Sequence, residues 1–223
     1  MRTAIVSAMH EELAAVLALM PDEHKQVAAG REFWLGHLHG HDVVAVLSRI
    51  GKVAAATTAT ALIERFGVER IVFTGVAGGL APGVKVGDVV VADTFLQHDL
   101  DASPIFPKYE VPLYGLSRFT TDARLSQALA QAARDALPHA TLHRGLMVSG
   151  DRFVATTAES LALQAALPEA LAVEMEGAAF AQVCHDYGVP FAAVRTISDR
   201  ADDSAHVDFM SFIQNVASRH SAA

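Results

Sequence analysis

Apolar positions change period repeatedly along the chain, from the twofold spacing of strands to the 3.6-fold spacing of helices. Residues 3–7 are a short β-branched run, and 11–20 then sets Leu13, Val16, Leu17 and Met20 on one helical stripe. Runs at 33–37 and 43–48 flank His39-Gly40-His41-Asp42, which predicts two strands joined by a hairpin-type turn. Segment 52–66 is almost entirely Ala, Thr, Val, Leu and Ile, so a helix there is apolar on nearly every side and can press closely on strands. Further strands are predicted at 70–74, 88–92, 142–148, 172–175 and 191–197, and helices at 158–167, 177–187 and 208–220. Thr121 reads as the N-cap of a helix to Leu137, with Pro138 as its stop. Periodicity vanishes over 98–115, where Pro104, Pro107 and Pro112 accompany Phe106, Tyr109 and Tyr114. An ordered excursion of this length is expected to be functional or interfacial. No repeat or linker interrupts the alternation. The expected fold is therefore α/β: a single domain over 1–223, a three-layer αβα arrangement with a central mixed, twisted β-sheet.

Composition narrows the partners. With 223 residues and 52% apolar content, the chain can bury a full core without disulfides or a metal. The net charge of −8 is spread along the sequence and no Lys/Arg cluster occurs, so nucleic acid is not an expected partner and a small molecule is. The single cysteine, Cys184, on an apolar helix face, reads as a buried thiol. The first apolar run is too short for a signal peptide, and none approaches the roughly 18 residues that span a bilayer. A cytoplasmic protein with no membrane partner is expected.

Candidate chemistry sits where apolar runs end: His10-Glu11-Glu12, Val173-Glu174-Met175-Glu176-Gly177 and Ile197-Ser198-Asp199. Open α/β sheets gather ligand-binding groups at such places, so these carboxylates are expected to share one pocket. Glu11 reads as a helix-dipole partner. Glu174, two residues before Glu176 on a strand-like run, is expected to point to the opposite side in a structural role. His98, Asp99 and Asp101 lack a partner cluster; a solvated loop is expected there, with no metal. Gly75 to Gly79 matches neither the dinucleotide nor the Walker pattern.

Seven motifs, in order and in register, resemble the bacterial 5'-methylthioadenosine/S-adenosylhomocysteine nucleosidases over nearly the whole chain. They are Ala8-Met9-His10-Glu11-Glu12, Ile50-Gly51-Lys52-Val53, Thr74-Gly75-Val76-Ala77-Gly78-Gly79-Leu80-Ala81, Val86-Gly87-Asp88, Val148-Ser149-Gly150-Asp151-Arg152-Phe153, Val173-Glu174-Met175-Glu176 and Arg195-Thr196-Ile197-Ser198-Asp199. The resemblance implies a nucleoside phosphorylase/hydrolase fold and hydrolysis of an N-glycosidic bond to adenine. That reaction needs an acid on the base side and an activated water on the sugar side.

By the same resemblance Asp199 protonates adenine N7, Glu12 activates water at C1', Glu176 accepts the ribose hydroxyls, and Arg195 positions the water and its neighbouring carboxylate. Phe153 stacks on the purine and the Val154 backbone meets its edge. Met175 lies beside the sugar, Ala77 and Gly78 offer close backbone, Ser198 assists Asp199, and Met9, Ile50 and Phe209 line the 5'-alkylthio pocket. Neither metal nor organic cofactor is implied. A homodimer is, with the 100–115 loop entering the neighbouring subunit's site. Phe73 and Val76 stand where hexameric phosphorylases place the Arg and Ser that hold phosphate, which favours hydrolysis. Three alternatives stay open: a futalosine or aminodeoxyfutalosine nucleosidase, a purine nucleoside phosphorylase, and a non-catalytic nucleoside-binding protein.

Overall fold

The computed structural model describes residues 1–212. Chain order is β1 (Thr3–Ser7), α1 (His10–Leu17), β2 (His24–Ala28), β3 (Arg31–Leu38), β4 (His41–Leu47), α2 (Lys52–Phe66), β5 (Arg70–Gly79), β6 (Val89–Gln97), β7 (Arg118–Thr120), α3 (Ala123–Ala136), β8 (Leu142–Ser149), α4 (Thr157–Ala166), β9 (Ala170–Glu174), α5 (Gly177–Tyr187), β10 (Phe191–Asp199) and α6 (Ala205–Phe212). The strands form one mixed sheet in the order β10-β6-β8-β9-β5-β1-β4-β3-β2, with β7 on β6.

Alternation along β1 shows why helices cover both faces. Ala4 and Val6 join the large core with Ala55, Ala59 and Leu62 of α2 and Phe180 of α5. Ile5 points the other way, into the cluster that holds Leu13 and Val16 of α1. The small residues of α2 allow its close approach, and its helix ends at Gly67 in the left-handed conformation.

The sheet is not open throughout. Besides pairing with β6, β10 pairs with β5, and β5 pairs with β9, so β10, β6, β8, β9 and β5 close into a ring. Register then fixes the neighbours: Asp199 lies beside Gly78, Gly78 beside Val173, and Ser149 beside Glu174. A register shift between Ile197 and Asp199 re-aims the end of β10.

Several expected boundaries move. The helix expected over 11–20 spans His10–Leu17, and Met20 is brought into the core by turn hydrogen bonds beyond the helix end. Asp122, not Thr121, caps α3, accepting from the Leu125 N–H at 2.8 Å. Thr121 is spent on the Ala92 carbonyl at 2.8 Å. The Gly-rich stretch Gly75 to Gly79 is the second half of β5 and not a loop. The last helix begins at Ala205, three residues before its expected start. Its expected continuation to residue 220 lies outside the described residues. No helix among the described residues is long and apolar enough to cross a membrane.

Candidate active site

A cavity of about 370 Å³ opens where the ring of strands meets the first turns of α1, α5 and α6. From the expected set it is lined by Met9, Ile50, Ala77, Gly78, Phe153, Met175, Glu176, Ser198, Asp199 and Phe209. Val154 lies in a small recess that shares Gly78, Phe153 and Asp199 with the main cavity. Glu12 and Arg195 are buried behind the wall; a Cβ placed on Gly75 would meet the Glu12 carboxyl at 3.4 Å and Arg195 Nη1 at 3.7 Å. Three other cavities have comparable volume, about 330, 360 and 520 Å³, so volume alone does not select the site. The gathering of buried acids does.

Glu12 is the third residue of α1 and turns back over the helix start. Its Oε2 accepts from the Met9 N–H at 3.1 Å and the Ala8 N–H at 3.2 Å. Oε1 is buried and has no hydrogen-bond partner among the described residues. Burial pushes the carboxyl up to about 7, against the opposing pull of Met9 and Arg195.

Asp199 ends β10, 2% exposed. Its Oδ1 accepts from the Ala201 N–H and its Oδ2 from the Ser198 hydroxyl, both at 2.8 Å. Burial raises its pKa above the usual carboxylate value even so. Gly78 makes room for it, since a Cβ there would sit 2.9 Å from Oδ1 and 3.1 Å from the Ala201 Cβ.

Glu174 departs from expectation. It does not face away from Glu176; both line the cavity. Residues two apart on a strand share a face, so twofold alternation itself puts both on the cavity side, and they stay there although strand geometry stops at Glu174 and Glu176, at the N-cap of α5, has φ −132° and ψ −38°. The structural role does hold: Glu174 pairs with Arg195 Nη2 at 2.9 Å, receives the Ser149 hydroxyl, and accepts the Gly177 N–H at 2.8 Å. Burial and the neighbouring Glu174 push Glu176 up to about 8. Its Oε1 accepts the Gly51 N–H at 2.9 Å.

Arg195 is 1% exposed, its guanidinium 4.0 Å over the Phe73 ring and donating to the Phe73 carbonyl at 3.1 Å. With Glu174 as its ion-pair partner it braces the buried wall. Phe153 is 40% exposed and meets Phe209 edge-on at 5.7 Å.

His98 and Asp99 also differ from the expected solvated loop. Asp99 pairs with Lys52 at 2.6 Å and accepts the Asp151 N–H at 2.8 Å, while Asp151 accepts the Lys52 N–H at 2.7 Å. This lattice holds Gly51, whose φ of +96° suits glycine, against Glu176. The half-buried His98 ring lies against Gly150, and burial lowers its pKa. Among the described residues no group of three or more His, Cys, Asp or Glu could hold a metal ion.

Sequence reading missed Ser149, Ala8, Val173, His206 and Met210 at or behind this wall. Ser149 had a signal, its place in the Val148-Ser149-Gly150-Asp151 motif at a strand end. His206 and Met210 had none, because they depend on how α6 is set against the cavity.

Comparison with known proteins agrees with this geometry. The family model described as Phosphorylase superfamily matches residues 2–223. A 5'-methylthioadenosine/S-adenosylhomocysteine nucleosidase of Geobacillus thermodenitrificans is 40% identical over 226 residues, covering 100% of this chain and 93% of its own. The nucleosidase of that name from Neisseria meningitidis, solved with methylthio-immucillin-A, superposes with a TM-score of 0.93 at 36% identity, over 99% of this chain and 95% of that one. Futalosine hydrolase of Helicobacter pylori superposes at 0.90 with 35% identity, over 99% and 94%. Likeness of this extent, over a cavity walled by the same carboxylates that the motifs single out, places the chain in the phosphorylase superfamily and, within it, in the 5'-methylthioadenosine/S-adenosylhomocysteine nucleosidase family.

Proposed function

We propose that this chain is an N-glycosyl hydrolase that releases adenine from 5'-methylthioadenosine and S-adenosylhomocysteine. One observation carries the choice of water over phosphate: the cavity wall holds Glu174, Glu176 and Asp199 but neither Lys nor Arg among the described residues. Phosphate needs Arg or Lys donors. The neighbouring guanidinium groups are engaged, Arg195 by Glu174 and Phe73, and Arg152 of the adjoining recess by Glu159.

In this reading Asp199, its proton retained by burial, delivers it to adenine N7. Glu12, with one oxygen fixed by backbone N–H groups and the other unpartnered, takes a proton from water attacking C1'. Its pKa of about 7 places it where a general base works near neutral pH. Glu176 receives the ribose 2'- and 3'-hydroxyls. Donation from those hydroxyls and positive charge developing on the ring both favour its ionised form, offsetting the burial that holds the free group near 8. Arg195 acts through Glu174 and the field it places near Glu12. Phe153 stacks on the base, with Val154 at its edge. Met9, Ile50 and Phe209 receive the 5'-group.

The same reading takes 1–223 as one catalytic domain in the cytoplasm, acting without a cofactor as a homodimer. The 100–115 loop supports the dimer: Ile105 is 82% and Leu113 90% exposed, while the Tyr114 hydroxyl is anchored to Asp186 at 2.8 Å. Apolar side chains held outward on an anchored loop fit a partner subunit.

The test is adenine release from 5'-methylthioadenosine, S-adenosylhomocysteine and 6-amino-6-deoxyfutalosine, each with and without phosphate. Phosphate-independent release from the first two is expected. Release from the third alone would move the protein toward the futalosine hydrolase it resembles. A phosphate requirement would make it a phosphorylase, and no release would leave a binding protein.

A further inference from the structure

The 520 Å³ cavity on the β3–β4 side of α1 shares no lining residue with the active site. Its walls include His10 and Leu13 of α1, Arg31 and Trp34 of β3, and Leu47 and Arg49 at the end of β4. Arg31 is 8% exposed. Its Nη1 and Nη2 donate to the Ala29 and Ala54 carbonyls at 2.7 and 3.0 Å, but its buried Nε has no partner among the described residues. Arg49, at φ +66°, donates to the Gly30 carbonyl from Nη2. A guanidinium has five N–H groups, so donors remain.

Neither arginine makes an ion pair among the described residues. The one carboxylate on the wall, Glu32, is taken by Lys25 at 2.7 Å. Two guanidinium groups thus share a cavity without a counter-charge. Burial, and then the charge of Arg49, hold the Arg31 pKa below its ordinary value, the direction expected for like charges left uncompensated. Burying a charge is costly unless it is paired, and arginine's planar fork matches oxyanions best.

We propose that this cavity is a binding site for a small oxyanion, a phosphate or carboxylate group, held by the free donors of Arg49 against the positive charge of the Arg31 guanidinium. Leu13, Leu47 and Trp34 add apolar wall, so an organic molecule carrying that group fits better than a bare ion. The proposal is independent of which nucleoside the active site cleaves.

Trp34 is the only tryptophan of the chain and lines this cavity, so its fluorescence reports here and not at the active site. The experiment titrates the full-length protein with sodium phosphate, and separately with sodium acetate, at ionic strength matched with chloride. A saturable Trp34 change with either probe is expected, the stronger probe naming the class. Loss of a charged hydrogen bond in Arg49→Gln should weaken that binding about tenfold. Arg49 is exposed, so this variant tests binding without disturbing the core; Arg31→Gln should abolish the change if it folds. No saturable change beyond chloride with either probe, or an unaltered titration in Arg49→Gln, overturns the proposal.

Discussion

The cavity walled by Asp199 and Glu176 and the cavity walled by Arg31 and Arg49 meet at consecutive residues: Met9 and Ile50 line the first, His10 and Arg49 the second. One holds Asp199 and Glu176, buried acids whose proton affinities are raised; the other holds two arginines that make no ion pair among the described residues. The difference lies in how backbone is spent. Around the acids, N–H groups of Ala8, Met9, Gly51, Gly177 and Ala201 are turned inward to hold carboxyl oxygens. Around the arginines, carbonyls of Ala29, Gly30 and Ala54 are turned inward to hold guanidinium groups. Beside each cavity a buried polar atom has no partner among the described residues, Glu12 Oε1 behind the wall of the first and Arg31 Nε at the second. An unpartnered buried polar group asks for an explanation, a catalytic role among them.

The sharpest way to break the contrast is to neutralise the acids. Asp199→Asn and Glu12→Gln should each lower kcat by about 10²–10⁴-fold, the range of a lost general acid or base, with substrate still bound in equilibrium dialysis. Near-normal turnover in either variant would remove that residue from its role. Crowding the acid should cost less. Gly78→Ala puts a Cβ 2.9 Å from Asp199 Oδ1, and displacement of the acid should lower kcat about 10–100-fold while the circular dichroism spectrum is unchanged.

Stability carries the next signature. A carboxyl whose folded pKa is raised binds more protons folded than unfolded, so its ionisation destabilises the fold as pH rises through the window between the two values. For Glu12 that window runs from the ordinary glutamate value of 4.5 to about 7. Its full cost above the window is on the order of 3 kcal/mol. Glu12→Gln should therefore gain stability relative to the parent at pH 8 and lose that gain toward pH 5, as read by urea unfolding. A pH-independent difference would count against a buried, protonated Glu12. The parent's kcat/KM should fall below about pH 7 as Glu12 takes up its proton. The smallest effect is expected from Val76→Ser, which adds a hydroxyl to the cavity wall: turnover should stay phosphate-independent and change by less than about tenfold.

How far the site could be foreseen depended on the kind of signal each residue carried. Lys52–Phe66 and Gly177–Tyr187 match their expected helices because small apolar residues and flanking glycines mark both body and ends. The His39-Gly40 turn between β3 and β4 has positive φ at both residues, 48° and 81°, as a tight hairpin requires. Strand β2 was missed: four of its five residues are exposed, so no apolar alternation writes it into the sequence. Strand β7, three residues long, is made by pairing with β6 and not by its own pattern. The same limit applied within the site. Motif spacing pointed to Glu12, Glu176, Arg195 and Asp199, but not to what Glu174 does, because its partners Arg195 and Ser149 reach it from other strands of the sheet.

The closure of β10 onto β5 has a further consequence, for how this molecule meets its own kind. A strand with free backbone groups invites another strand, and an open sheet would have carried Asp199 on such a margin. Ring closure withdraws that margin. Among the described residues, what remains for edge-to-edge pairing is β7, too short to template much, and β2, whose exposed residues include His24, Lys25 and Gln26. Charged and polar side chains there discourage fibre-like growth, so copies of this chain are left to associate through side-chain surfaces and not by adding strand to strand.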